Sequence, residues 1–129
     1  MPIKSDLQLS TFLCLLLLSP FSFSEILIDG KLDEAEWDKA REVTKFYEVY
    51  PFTLEEPKYD QKVLVLEDEK GIYFGFINYQ STESIRSNKH ERDLERPNAD
   101  RVGVNIDFDG DNISAYSFSL SVSGSKGDG

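Results

Sequence analysis

Two stretches in the last third of the chain alternate apolar and polar residues with a period of two. Val102, Val104, Ile106 and Phe108 alternate with Arg101, Gly103, Asn105 and Asp107, and Tyr116, Phe118, Leu120 and Val122 alternate with Ser117, Ser119 and Ser121. That period is the signature of a strand with one apolar and one polar face. Directly opposed residues of a strand pair share a face, so even positions must meet even positions, which excludes a two-residue loop. A three-residue loop, Gly110-Asp111-Asn112, pairs Phe108 with Ser114, Ile106 with Tyr116 and Val104 with Phe118, and puts Asn112 where a left-handed residue is wanted. On the polar face Asn105 then meets Ser117, and Gly103 meets Ser119.

Upstream, the apolar run Val63 to Leu66, the turn Asp68-Glu69-Lys70-Gly71 and the apolar run Ile72 to Tyr79 predict a hairpin whose second strand is buried on both faces. Glu42 to Tyr50 reads as an earlier strand ended by Pro51. Gln80 to Ala99 is polar, carries Arg86, Lys89, His90, Arg92 and Arg96, and reads as a long loop with one helical turn. Nearer the start, Ile26-Leu27-Ile28 reads as a short strand and Asp29-Gly30 as a turn. Leu32, Trp37 and Ala40 form one face of a helical turn capped by Asp33. Asp29, Asp33 and Trp37 together form a structural anchor, with the single tryptophan in the core. Alternating strands and the lack of any long helix predict an all-β fold, an antiparallel β-sandwich of the jelly-roll kind. Ser123 to Gly129 is turn chemistry with no element after it, so the sheet is expected to be incomplete at its C-terminal side, with an edge left unpaired.

Residues 1–24 have the layout of a cleavable export signal: Lys4, an apolar core from Phe12 to Leu18, Pro20, and small residues at Ser22 and Ser24. The core is far shorter than the roughly 20 residues of a membrane span, and no later segment approaches that length. Residues 25–129 are therefore expected to be a single small soluble domain, secreted or held in the periplasm or outer envelope of a bacterium. The only cysteine, Cys14, lies in the signal, so the mature part forms no disulfide. Lys4 and Asp6 cancel, which leaves the formal charge of -10 on the mature part. So acidic a surface argues against nucleic acid or anionic membrane as partner and is compatible with neutral sugars or cations.

The polar face of the last two strands has two readings, a solvated sheet surface or a shallow groove whose small polar groups hold sugar hydroxyls while aromatics stack on the ring. Tyr47, Tyr50, Phe52, Tyr59 and Tyr79 lie outside the core series, and Tyr79 at its strand end is the first of them to test. Asp107, Asp109 and Asp111 alternate through the hairpin turn. They could contribute to a calcium site, which needs about 6 to 8 oxygens, or simply form a solvated turn. Catalysis finds little support: His90 is the only histidine, no mature cysteine exists, and no nucleophile elbow is visible. Haem ligation lacks a Met and His set, and no pair of carboxylates stands out for glycoside hydrolysis.

The order of these pieces resembles the family 9-like carbohydrate-binding modules, including those that open large bacterial envelope proteins. The matching run is Ile28-Asp29-Gly30, Asp33, Trp37, the Val63 to Leu66 and Gly71-Ile72-Tyr73 hairpin, Arg92-Asp93, Asp100 to Asp107, Ala115 to Phe118, Gly124 and Asp128. The resemblance implies a non-catalytic module that binds polysaccharide or oligosaccharide, of the kind attached to xylan-degrading glycoside hydrolases, with further strands and another covalently linked domain after it. It places the sugar-contacting positions at Asn98, Gly103 and Ser119, and Arg101, Asn105 and Ser117 share the same face. At Asn98 the sugar-binding members carry a clamping tryptophan. Its absence here implies an alternative role, as a structural or protein-interaction domain of an envelope protein that has lost sugar binding.

Overall fold

The computed structural model describes residues 25–94 and 97–129. The export signal expected over residues 1–24 lies outside them. The chain divides into two compact units, with the boundary after Ala40. In the first, Ile26 to Ile28 is irregular rather than a strand, and among the described residues no strand pairs with it. The Asp29 carboxylate accepts the Lys31 N–H at 2.9 Å, and Gly30 takes φ +86°, as the expected turn requires. A 3-10 helix spans Ala35–Lys39, and its N-cap is Glu34, not Asp33. Neither side chain caps the helix by a hydrogen bond, since the Glu34 carboxylate is engaged elsewhere. One oxygen reaches back to the Leu27 N–H at 2.8 Å and the other accepts the Trp37 indole N–H at 3.0 Å. Among the described residues of this unit, Ile26 and Trp37 are the buried apolar ones.

The second unit holds two antiparallel three-stranded sheets. In the first, β1 (Arg41–Val43), β2 (Gln61–Asp68) and β3 (Gly71–Asn78) lie in chain order. The β2–β3 hairpin pairs Asp68 with Gly71 and Gln61 with Asn78 without a bulge. Asp68 steadies its two-residue turn by accepting the N–H groups of Lys70 and Gly71 at 2.7 and 3.1 Å. The burial expected on both faces of β3 is only partial: Gly75 is buried, Tyr73, Phe74, Phe76 and Ile77 are half-buried, and Ile72, Asn78 and Tyr79 are exposed. The strand expected over Glu42 to Tyr50 stops at Val43. Beyond it the chain closes a loop of its own, in which Glu48 donates to the Glu55 carbonyl and Leu54 donates to the Glu48 carbonyl.

The second sheet is β4 (Arg101–Ile106), β5 (Tyr116–Ser121) and β6 (Lys126–Asp128). The β4–β5 register is the predicted one: Ile106 faces Tyr116, Val104 faces Phe118, Asn105 faces Ser117 and Gly103 faces Ser119. The loop is longer than predicted, however, and the pair Phe108 with Ser114 does not form. Asp107 and Asp111 take up the backbone N–H groups that ladder bonds would have used. β6 is a strand where only turn chemistry was expected. Lys-Gly-Asp has poor strand propensity, yet the turn at Gly124 (φ +84°) folds it back onto β5. Among the described residues the helical segments are short 3-10 turns, and no helix is long and apolar enough to cross a membrane.

Burial is shallow. Leu64, Ala99 and Ser121 are the buried side chains of the second unit. On β4 the apolar residues Val102, Val104 and Ile106 are half-buried, but their β5 neighbours Tyr116, Phe118 and Leu120 are 58%, 45% and 47% exposed. The apolar face of the second sheet is thus covered along β4 and open along β5.

Candidate functional site

Arg101, Gly103 and Asn105 stand on one face of β4, opposite Ser121, Ser119 and Ser117 of β5. The two ends of this polar face differ. At the open end the Ser117 hydroxyl donates to Asn105 Oδ1 at 2.7 Å, and both residues are exposed. Gly103 leaves the floor between the strands bare: a Cβ there would sit 3.0 Å from the Phe118 carbonyl oxygen. Arg101 is exposed and forms no ion pair among the described residues.

The other end is used by the chain itself. The buried Ser121 hydroxyl accepts the Ser125 N–H at 3.0 Å and lies 2.8 Å from the Ser123 hydroxyl. Ser123 and Ser125 then donate to the carbonyls of Asn88 and His90 at 3.1 and 2.6 Å. The Ser119 hydroxyl is half-buried, 3.5 Å from the Gly127 carbonyl. The loop before β4 is therefore stitched to the turn that follows Ser121, and Asn105 with Ser117 stays open. His90 meets Ser125 through its backbone, and its Nδ1 lies 2.8 Å from the Glu91 carbonyl. That arrangement is not a nucleophile and base pair.

Tyr79 directly follows β3 on the other sheet and is exposed beside Lys62, so the structure does not bring it to the Asn105 strip. Asn98 is exposed, and its carbonyl accepts the Asn88 side-chain amide at 2.8 Å, next to the bridge between Ser87 and Ala99. A shallow depression of about 390 Å³ lies where β5 meets β6, lined by Phe118, Ser119, Leu120, Lys126, Gly127 and Asp128 together with Arg92.

In the hairpin loop Asp107 turns inward. One oxygen accepts the N–H groups of Asp109 and Gly110 at 3.1 and 2.7 Å, and the other accepts that of Asn112 at 2.8 Å. The Asn112 hydrogen bond leads the forces that hold the Asp107 carboxyl below its ordinary range, against a smaller opposing effect of burial. Asn112 has φ +58°, the left-handed conformation anticipated for it. Asp111 accepts from Ile113 and Ser114 at 2.8 and 3.3 Å. Among the described residues no three His, Cys, Asp or Glu side chains converge in a way that could hold a metal ion.

Two braces went unseen in the sequence. The Asp100 carboxylate accepts Arg86 Nε and Nη2 on one oxygen at 2.9 and 2.8 Å, and the Arg86 N–H and Gln80 side-chain amide on the other at 3.1 and 3.0 Å. Burial pushes its pKa up, but these hydrogen bonds and the Arg86 charge outweigh it and hold the carboxyl low. The Asp100 backbone donates to Arg86 O and accepts from Val122, so one residue joins the segment after β3 to both β4 and the end of β5. In the second brace Asp93, at φ +60°, donates to the Lys126 carbonyl through its N–H and accepts the Asp128 N–H, while Arg92 pairs with Asp128. The adjacent opposite charges of Arg92-Asp93 were the only available signal, because nothing in a sequence states that Arg86 meets Asp100.

No family model, curated protein or solved structure matches this chain.

Proposed function

We propose that the two sheets are halves of a jelly-roll-like β-sandwich of the family 9 carbohydrate-binding kind, a secreted or periplasmic non-catalytic module that binds polysaccharide or oligosaccharide ends. In this reading it is accessory to xylan-like polysaccharide breakdown by a larger bacterial protein. The observation that carries the reading is the open Asn105 and Ser117 pair beside the side-chain-free Gly103, with exposed Arg101 next to it. Short hydrogen-bonding groups over a bare strand floor can accept the hydroxyls of a flat sugar ring. A net charge of -10 is compatible with a neutral ligand. The test is titration of the chain with xylo- and cello-oligosaccharides, followed through the amide resonances of residues 101–105 and 117–119. Saturable shifts that Asn105→Ala weakens at least tenfold support the reading; no shift with any oligosaccharide overturns it.

A second reading is favoured by a different observation, the open apolar row Tyr116, Phe118, Leu120 and Val122. Such a face fits a structural or protein-interaction domain of an envelope protein, burying this row against another domain. It gains if no sugar binds and if the gene encodes a barrel-like series of strands beyond Gly129; a glycosidase there favours the first.

A further inference from the structure

The outer edge of β3 is an eight-residue row without the usual protection of edge strands. Gly71-Ile72-Tyr73-Phe74-Gly75-Phe76-Ile77-Asn78 contains no charge and no proline, and its pairing with β2 runs without a bulge. The direction of its backbone groups follows from the hairpin. A two-residue turn makes Asp68 and Gly71 a hydrogen-bonded pair, and the bond from Tyr79 N–H to the Asp60 carbonyl continues the same parity. Odd residues of β3 therefore face β2. The amide and carbonyl of Ile72, Phe74, Phe76 and Asn78 face outward, and among the described residues no hydrogen bond is made to them.

About Gly75 the row is flanked symmetrically by Phe74 and Phe76, and by the large apolar pair Tyr73 and Ile77 beyond them. We propose that this edge pairs with the same edge of a second copy, antiparallel, with a two-fold axis at Gly75. Phe74 then meets the second copy's Phe76, Tyr73 meets Ile77, and Ile72 meets Asn78. Every outward-facing backbone group lies in a hydrogen-bonded pair in this register, since even residues meet even residues. Two Phe74 and Phe76 pairs gather on one face, where aromatic cross-strand pairs are favourable. Charge is compatible with the register as well: Lys70 falls opposite Gln80 and Glu69 opposite Ser81, so no like charges face each other. The interface is isologous, as a two-fold contact must be. The product is a six-stranded sheet across two copies.

Sedimentation of the full chain tests the proposal, with Asn78→Pro as the blocking variant. Asn78 is exposed, and its N–H points outward, so proline removes a donor from the new edge and none from the β2 ladder. A second variant carries Ile72→Cys and Asn78→Cys in a Cys14→Ser background. Within one strand these positions are roughly 20 Å apart and cannot join, so a disulfide between them reports the intermolecular register. The expected result is a dimer that tightens with added salt, since salt screens the repulsion between two acidic copies. Asn78→Pro should weaken it at least tenfold while the circular dichroism spectrum is kept, and the cysteine pair should cross-link it. A monomer at all concentrations overturns the proposal. A dimer indifferent to Asn78→Pro and uncrosslinked overturns it too, because the contact then uses another surface such as the apolar row of β5. A monomer whose Phe74 and Phe76 amides resist exchange also overturns it, since a segment of the same protomer then fills the edge.

Discussion

Replacing Asp100 by alanine removes the acceptor for four donors from Arg86 and Gln80. Hydrogen bonds to a charged group contribute about 1.5–3 kcal/mol each when shielded. The Arg86 side chain is 63% exposed, so its two contacts are discounted to less than about 1 kcal/mol together. The Arg86 N–H and Gln80 amide contacts sit against a carboxylate that is only 19% exposed. A net local loss of about 2 kcal/mol follows. At about 1.4 kcal/mol per factor of ten this corresponds to roughly 30-fold faster hydrogen exchange at sites that open with the brace. The diagnostic amides are those of residue 100, donating to the Arg86 carbonyl, and Val122, donating to the carbonyl of residue 100. Amides of β2 and β3 should change less than about threefold, because their ladder does not pass through residue 100. A uniform change across both sheets, or less than about a threefold change at Val122, would refute the reasoning. The pH dependence has a definite sign. The folded Asp100 carboxyl titrates below its ordinary value, so its stabilisation is complete above about pH 4 and is lost as pH falls through the lowered folded value. Asp100→Asn should remove that part of the acid sensitivity.

The Glu34 carboxyl is held low, first by the Leu27 N–H and also by the Trp37 indole. The indole N–H resonance of Trp37 should therefore titrate with a midpoint below about 4.3, and a midpoint at or above that value contradicts the contact. Asp107→Ala should loosen the 107–115 loop, read as lost order at Asn112, while Asp109→Ala leaves it ordered, because the Asp107 carboxylate gathers three loop N–H groups, that of Asn112 among them; equal effects would show that Asp107 is not the organiser. Gly103→Ala should destabilise the second sheet by about 1 kcal/mol, because the backbone of Phe118 cannot yield. At Gly127 the obstructing atom is the Ser119 hydroxyl at 2.7 Å, which can rotate, so Gly127→Ala should cost less when both are compared by denaturant unfolding. Phe118→Ser with Leu120→Ser should cut binding of an apolar dye without altering circular dichroism, and undiminished dye binding would show that the β5 face is not the open surface.

Period-two alternation made β4 and β5 readable to the residue, because a one-residue slip would have exchanged every apolar and polar position. The β2–β3 hairpin was equally plain from its turn. What failed had no such redundancy. Ile26 to Ile28 is apolar enough for a strand but has no strand partner among the described residues, and strand propensity alone cannot supply one. β6 was missed because Lys126, Gly127 and Asp128 carry no strand signal and are held by the β5 ladder and by Asp93, the latter far away in sequence. For the candidate site, Asn105 and Ser117 follow from register, whereas the diversion of Ser119 to the Gly127 carbonyl and of Ser121 to Ser123 and Ser125 depends on how the chain turns back after β5.

Asp100 has a kinetic implication as well. Each sheet is built from neighbours in the chain, the hairpin 61–78 in one and the meander 101–128 in the other. Both can close quickly over short loops, before distant segments meet. The Asp100 clasp, spanning Gln80 to Val122, gathers its partners only after both sheets exist. Substitutions there should leave the refolding rate nearly unchanged and act mainly by hastening unfolding, which makes this clasp the lock on an already assembled molecule rather than its nucleus.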